Sequence, residues 1–180
     1  MSESQIGQDI FVVETLKEKR NGVFVDIGGA HPKRINNTYL LEKNYCWGGI
    51  SLDIGPPWHP WWYDLQNLTV EKYIKLWNDE RDTPLIICDA LKQNYYELFK
   101  KYNMPEVIDF LSLDIEPPQS TLECLKILPH SRYKFRVICF EHDNYLETTT
   151  MEPSRRYLSE LGYNLARKQI NDQEDWWVLQ

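Results

Sequence analysis

The 180-residue chain is predicted to fold as an α/β domain, a mostly parallel sheet with helices on both faces and an antiparallel last strand. Three observations predict it. Five short apolar runs, Val23-Phe24-Val25, Ile50-Ser51-Leu52, Leu85-Ile86-Ile87-Cys88, Phe110-Leu111-Ser112-Leu113 and Val137-Ile138-Cys139-Phe140, are separated by helix-length segments. Such runs read as parallel strands buried on both faces and joined by right-handed crossovers. Each run finishes on an acid, respectively Asp26, Asp53, Asp89, Asp114 and Glu141. Parallel strands end on one edge, so these carboxylates should gather in the crevice where open α/β sheets bind ligands. Finally, the apolar stretches 163–166 and 176–179 are parted by a polar loop at 171–175. A connection that short cannot be a parallel crossover, so the last strand should run antiparallel to the rest.

The segments between the strands carry helical signals. Ile6, Ile10, Val13 and Leu16 form a stripe within a helix over 4–20, ended by Asn21-Gly22, ahead of a core spanning 22–180. Residues 35–41 form the first crossover helix, and Val70, Tyr73, Ile74 and Trp77 mark the second by i, i+3, i+4, i+7 spacing. Leu91, Tyr95, Leu98, Phe99 and Tyr102 mark the third. The fourth follows Pro117-Pro118, where Ser120 and Glu123 make a capping-box pattern. Pro153 starts the fifth, which stops at Gly162. Five parallel strands closed by an antiparallel hairpin is the outline of a Rossmann-like class I methyltransferase.

Composition sets outer bounds. A chain that is 42% hydrophobic and 26% charged can bury one core, and 1–180 reads as a single domain. A formal net charge of −7 argues against nonspecific nucleic-acid binding, which needs clustered Lys and Arg, and against anionic membranes. The start lacks a signal peptide's basic and apolar regions, and no run reaches membrane-spanning length, so a cytoplasmic setting is expected. Cys46, Cys88, Cys124 and Cys139 have no CxxC spacing and read as reduced thiols.

The turn after the first strand, Asp26-Ile27-Gly28-Gly29-Ala30-His31-Pro32, is the most specific stretch. Gly28 and Gly29 let backbone approach a ligand, and the spacing is not GxGxxG. A nicotinamide-binding strand runs apolar into its first glycine. Here Asp26 stands two residues before it, as in methyltransferases that hold the amino-acid end of S-adenosylmethionine. Asp53 follows at the interval of an acid that accepts from ribose hydroxyls. Asp89-Ala90 suits an adenine pocket, the carboxylate accepting from the exocyclic amine and the backbone donating to a ring nitrogen, with a helix N-cap as the other reading of Asp89.

Ser4-Gln5-Ile6-Gly7-Gln8-Asp9, Val25-Asp26-Ile27-Gly28, Asn37-Thr38-Tyr39, the stretch from Ile108 to Glu116 and Gly162-Tyr163 together resemble the FkbM-type S-adenosylmethionine-dependent methyltransferases. The resemblance spans almost the whole chain and implies O-methylation, commonly of sugars or glycosylated and polyketide products. It sets Asn37 among the cofactor-binding residues. His31-Pro32, Phe140-Glu141-His142-Asp143 and Asp175-Trp176-Trp177-Val178 mark a less characterised branch, and Pro117-Pro118-Gln119 replaces the family's Gly-x-Glu.

Asp114 and Glu141, ending neighbouring strands, could hold a divalent ion such as Mg²⁺ that polarises a substrate hydroxyl, or simply bond loop amides or the sulfonium ligand. Methyl transfer to an alcohol needs a base, for which His142, His31 and Asp114 are the candidates. The aromatic loop after Asp53 offers Trp58, Trp61 and Trp62 to a sugar or hydrophobic acceptor, or else to packing or a homodimer contact. These readings converge on a methyltransferase acting on a small or carbohydrate acceptor. A noncatalytic ligand-binding module and a nicotinamide-dependent oxidoreductase are the alternatives.

Overall fold

Seven strands lie in the order β3-β2-β1-β4-β5-β7-β6. The computed structural model describes residues 2–57 and 63–180. Strands β1 (Val23–Ile27), β2 (Gly48–Asp53), β3 (Leu85–Ile87), β4 (Val107–Leu113) and β5 (Lys134–Glu141) are parallel. β7 (Glu174–Leu179) slots antiparallel between β5 and β6 (Tyr163–Ile170). The helices are α1 (Gln8–Thr15), α2 (Tyr39–Tyr45), α3 (Val70–Glu80), α4 (Tyr95–Lys101), α5 (Pro118–Ile127) and α6 (Met151–Glu160). Among the described residues, no helix is long and apolar enough to cross a membrane.

Side chains along a strand alternate between faces, so each buried strand feeds two cores. On one face Phe24, Phe110, Val137 and Trp176 pack with Phe11, Val12 and Val13 of α1 and Leu41 of α2. On the other Val25, Ile27, Ile50, Leu111, Ile138 and Trp177 pack with Tyr95 and Phe99 of α4, Leu122 and Leu125 of α5 and Leu158 of α6. Near-continuous apolar strands are what this double burial demands.

Several element ends differ from the sequence reading, each for a local reason. α1 stops at Thr15 rather than near Asn21, because Lys17 and Glu18 take left-handed backbone and the Lys19 ammonium turns inward onto Asp109 at 2.6 Å. α2 begins at Tyr39, not at Ile35. Ile35 is left-handed, and the Asn36 side chain accepts from the Thr38 and Tyr39 amides at 3.0 and 2.9 Å, so a turn replaces the expected first helical turn. The third crossover splits into a 3₁₀ turn (Ala90–Lys92), capped by Asp89, and α4, capped by Asn94. α5 has Pro117 at its N-cap and Pro118 in its first turn, so Ser120 lies inside the helix and forms no capping box. α6 starts two residues before Pro153, which occupies its first turn. β6 and β7 both exceed the expected spans, leaving a turn over 171–173.

Arg81, directly after α3, fixes the loop that follows β1. Its guanidinium donates to Glu42 Oε2 at 2.8 Å, to the Pro32 carbonyl and Asn36 Oδ1 at 3.0 Å each, and to Thr38 Oγ1 at 2.9 Å. Phe24, Tyr39 and Trp77 surround it with ring faces 5.0–5.9 Å from its central carbon. Burial acts to raise the Glu42 carboxyl, but Arg81 and donors from Thr83 and Asp82 outweigh it and hold Glu42 below its ordinary range.

Breaking such a pair leaves a buried charge uncompensated. Arg81→Met should cost about 3–5 kcal/mol of folding free energy, and the double variant with Glu42→Leu should cost less than Arg81→Met alone. Urea unfolding of the three proteins measures both. A single-variant loss well under about 1 kcal/mol would show that the network contributes little.

Candidate functional site

Strand register and alternation together bring the acids to one face. Asp26 pairs with Ser51 across β1 and β2 and with Ser112 across β1 and β4, while Ile27 pairs with Leu52 and Leu113. Phe24, on the α1 and α2 face, shares its parity with Asp26. Phe110, Ser112 and Asp114 follow the same rule on β4 and its end, as do Val137, Cys139 and Glu141 on β5 and Glu174 and Trp176 on β7. Asp53, which follows Ile50 and Leu52 of the opposite core, also faces the α1 and α2 side. The carboxylates expected to gather therefore form a row along the carboxyl ends of β2, β1, β4 and β5.

At the β1 end the backbone is tightly constrained. Gly28 has φ +91°, and a Cβ there would lie 1.6 Å from the Asp114 carbonyl oxygen, so only glycine lets the turn pass against β4. Asp26 is buried and accepts from Thr38 Oγ1 at 3.0 Å and from Ser112. Burial pushes its carboxyl up, while Arg81, Thr38 and Ser112 oppose the rise and Asp114 adds to it. These donors make Asp26 an organiser of the turn. Asn37 Nδ2 donates to Ser112 Oγ at 2.9 Å, and Asn37 Oδ1 is enclosed with no hydrogen-bond partner.

Asp53 holds the same turn from β2. Its carboxylate accepts from the Ala30 amide at 2.9 Å and the Gly55 amide at 3.1 Å. Burial raises it to about 6, with the two amides opposing and Asp26 adding. The Tyr73 hydroxyl donates to the Ala30 carbonyl, pinning the turn from α3. Asp89 sits farther out at the sheet edge, where it caps the 3₁₀ turn through the Leu91 amide at 3.0 Å and pairs with Lys92 at 2.8 Å. The hydrogen bonds from Lys92 and Leu91 set its carboxyl below the ordinary range. Asp89 is thus the N-cap of that turn, with Ala90 as its first residue.

Asp114 and Glu141 adjoin, as their strand positions required, and their carboxyls share a hydrogen bond. A carboxyl pair can do that only with one proton between them. Burial raises both, Glu141 further because Asp114, Asp143 and Glu174 surround it. Asp143 also bonds Glu141, and burial and Asp114 raise it to about 7. Glu174 accepts from Gln8 Nε2 and Trp176 Nε1, each at 2.6 Å, and burial raises it to about 7. No group of three or more His, Cys, Asp or Glu among the described residues is disposed to hold a metal ion.

The two histidines are placed apart from these acids. Alternation turns His142 away from Glu141 toward the opposite core, where it is wholly buried. Its Nε2 lies 3.7 Å from Asp175, which Arg155 holds at 2.7 and 3.0 Å. It does not face the crevice as expected. His31 Nδ1 accepts from the amides of Lys33 and Arg34 at 3.0 Å each, so its ring caps its own turn, and Nε2 accepts from Arg34 Nε at 3.3 Å and lies 3.5 Å from Asp64. Burial and Arg34 lower its pKa, against Asp64. Trp58, Trp61 and Trp62 lie outside the described residues. The sequence reading passed over Arg81 and Glu174, and it named Thr38, Ser112 and Asp143 only within longer motifs, without a site role of their own.

No protein-family model and no curated protein sequence matches the chain. Among solved structures, the chain is similar over 99% of its length, and 98% of the other, to the crystal structure of an inferred rRNA-methylase from Clostridium thermocellum, at 13% identity and a TM-score of 0.57. It is similar over 96% of its length to MtNAS in complex with MTA and tNA, at 13% identity and a TM-score of 0.50, covering 60% of that chain. At this identity the likeness establishes the fold, the Rossmann-like fold of class I methyltransferases.

Raised carboxyl pKa values have a stability consequence. Asp53, Asp143 and Glu174 bind protons more tightly folded than unfolded, so ionising them opposes folding as pH rises from about 4 through about 7. Glu42 and Asp89 have depressed values, so their contribution is present above their ordinary values and lost as pH falls through the folded ones. Urea midpoints should therefore peak in mild acid, near about pH 5, and decline toward about pH 8. Midpoints rising across that interval would contradict the burial of these acids.

Proposed function

We propose that this chain is an S-adenosylmethionine-dependent O-methyltransferase of FkbM type, acting in the cytoplasm on a hydroxyl of a small or carbohydrate acceptor. The observation that carries the reading is Asp53, held at the end of β2 by the Ala30 and Gly55 amides beside the Gly28-Gly29 turn. A fixed carboxylate there is suited to ribose hydroxyls. The partnerless Asn37 Oδ1 offers an acceptor to a donor on the ligand. A row of carboxylates disfavours a polyanionic RNA acceptor and suits a neutral or cationic one.

Bound S-adenosylmethionine supplies an electrophilic methyl group on a sulfonium. The chain supplies the rest: Asp53 accepts from the ribose, Asp26 and Arg81 keep the glycine turn in shape, and Asp114 with Glu141 takes the acceptor's proton. The two adjoining carboxylates, when both are ionised, have a raised affinity for one shared proton, which suits the ionised pair to this task. His31 and His142 serve as supports, since one caps a turn and the other is enclosed behind the sheet.

A divalent ion on Asp114 and Glu141 is a second reading, favoured by the adjoining carboxyls. Side chains of the described residues add no third ligand, so the fit is that of two carboxylates with water. Turnover unaffected by EDTA removes it.

Asp53→Ala should weaken S-adenosylmethionine and S-adenosylhomocysteine by roughly thirty- to a thousandfold, from about 2–4 kcal/mol of charge-assisted hydrogen bonding. Affinity for both should rise with pH as Asp53 ionises through about 6. Calorimetry showing unchanged affinity in the variant would remove the assignment. Preference for a nicotinamide dinucleotide would favour an oxidoreductase.

Asp114→Asn keeps shape and removes charge. Turnover should vanish while cofactor affinity falls little, as single-turnover assays with labelled S-adenosylmethionine and a panel of sugars and glycolipids would measure. Full activity in the variant eliminates Asp114 as base. Tight cofactor binding with no turnover across acceptors supports a noncatalytic module.

A further inference from the structure

The motif Ser4-Gln5-Ile6-Gly7-Gln8-Asp9 lies at the carboxyl edge of the sheet. α1 begins there at Gln8 and runs back toward the amino ends of the strands, where Lys19 meets Asp109. Residues 2–7 therefore sit outside the strand ends. The Asn36 amide, in the loop after β1, donates to the Glu3 carbonyl at 3.1 Å. At the other end of the segment Gln8 accepts from the Ile6 amide at 3.0 Å and donates to Glu174 of β7 at 2.6 Å. Strands β4 and β5 lie between β1 and β7, so the segment bridges the strand ends that carry Asp114 and Glu141. Glu141 is only 8% exposed, and a ligand group reaches it only after a neighbouring segment moves.

Residues 2–7 are built to move. One wholly buried carboxylate, Asp9, latches them, accepting from Ser2 Oγ at 2.6 Å, the Glu3 amide at 2.8 Å, Ser4 Oγ at 2.7 Å and the Ser4 amide at 3.3 Å. Gln8 and Asp9 are buried, whereas none of residues 2–7 is, and only Ile6 of these packs against the core. Gly7 marks the boundary with φ +96°, and a Cβ there would meet nothing within 4 Å. A groove lined by Ile10, Phe11 and Arg167 opens beside it, so the backbone can turn at Gly7 without collision. A segment held mainly by polar bonds that water can replace belongs to the low-stability end of a structure. The loop after β5, which also adjoins the acids, is secured more firmly. The His142 and Asp143 amides donate to the Gln173 carbonyl at 2.7 and 3.0 Å, Thr150 Oγ1 donates to the His142 carbonyl at 2.7 Å, and the His142 ring is wholly buried.

We propose that residues 2–7 form a strap that swings about Gly7, opening the crevice over β4 and β5 to admit a ligand and closing on it through the Asp9 latch. The identity of the ligand rests on the function proposed above; the movement does not.

The test is amide hydrogen exchange read by NMR on the full chain, with S-adenosylhomocysteine as the probe. It compares the native protein with Asp9→Asn and with Ser4→Ala, a milder change that removes one donor to the latch. In the native protein the Glu3, Ser4 and Asn36 amides should exchange as one group, at least about tenfold faster than those of β1 and β4. Saturating S-adenosylhomocysteine should slow that group by about tenfold or more. Asp9→Asn should speed it by about tenfold, and Ser4→Ala by less, while exchange in β1 and β4 stays unchanged and shows that both variants fold. Stopped-flow binding to Asp9→Asn should show association and dissociation rising together, with affinity held within about threefold, as an unlatched gate requires. Strap amides as slow as the core, no slowing on binding, or faster dissociation with association unchanged would each overturn the proposal and make the segment a fixed wall. Collective strap exchange that Asp9→Asn accelerates, in a protein that binds no S-adenosylhomocysteine, would keep the strap and overturn the cofactor assignment. Tight binding with strap amides that exchange only with the core would do the reverse.

Discussion

The guanidinium of Arg81 is the constraint on which the site's shape depends. It is enclosed by three aromatic rings and donates to four acceptors, three of which, the Pro32 carbonyl, Asn36 Oδ1 and Thr38 Oγ1, lie in the loop after β1. A flexible loop cannot satisfy a buried guanidinium, because each partner must stay in place for the charge to be tolerated. The loop is therefore fixed, α2 begins late, and Thr38 is presented to both Arg81 and Asp26. Arg81 thereby connects α3, the glycine turn and the first acid of the row into one unit.

The row itself follows from strand periodicity. Residues two apart share a face, so acids that end parallel strands can converge only when their parities agree. They agree for Asp53, Asp26, Asp114 and Glu141. The same rule sends His142 to the opposite core, where Arg155 and Asp175 provide it with a separate polar environment. Placing a carboxylate and a histidine at adjacent positions thus divides them between two faces of the sheet.

Concentrating acids without cations has an energetic cost that the fold meets unevenly. Arg81 compensates the β1 end, amides the β2 end, and neutral donors Glu174. At the ends of β4 and β5 a shared proton is the main relief. Natural proteins keep such uncompensated sites where ligands complete them, since a fully paired site would have nothing left to offer. That gradient, from compensated to uncompensated, runs from the proposed cofactor side to the proposed acceptor side.

The sequence by itself determined the strands, their parallel sense and the antiparallel ending, because double burial leaves continuous apolar runs and a short polar loop excludes a crossover. It also determined that Asp26, Asp53, Asp114 and Glu141 share an edge. Tertiary structure alone decided which of them are free to act. Asp89 is occupied as a cap, His31 caps its own turn, and His142 is enclosed, outcomes set by hydrogen bonds that close only when the chain is folded. Arg81 was illegible for the same reason. A lone arginine after a helix reads as solvated until acceptors 39 to 49 positions away enclose it.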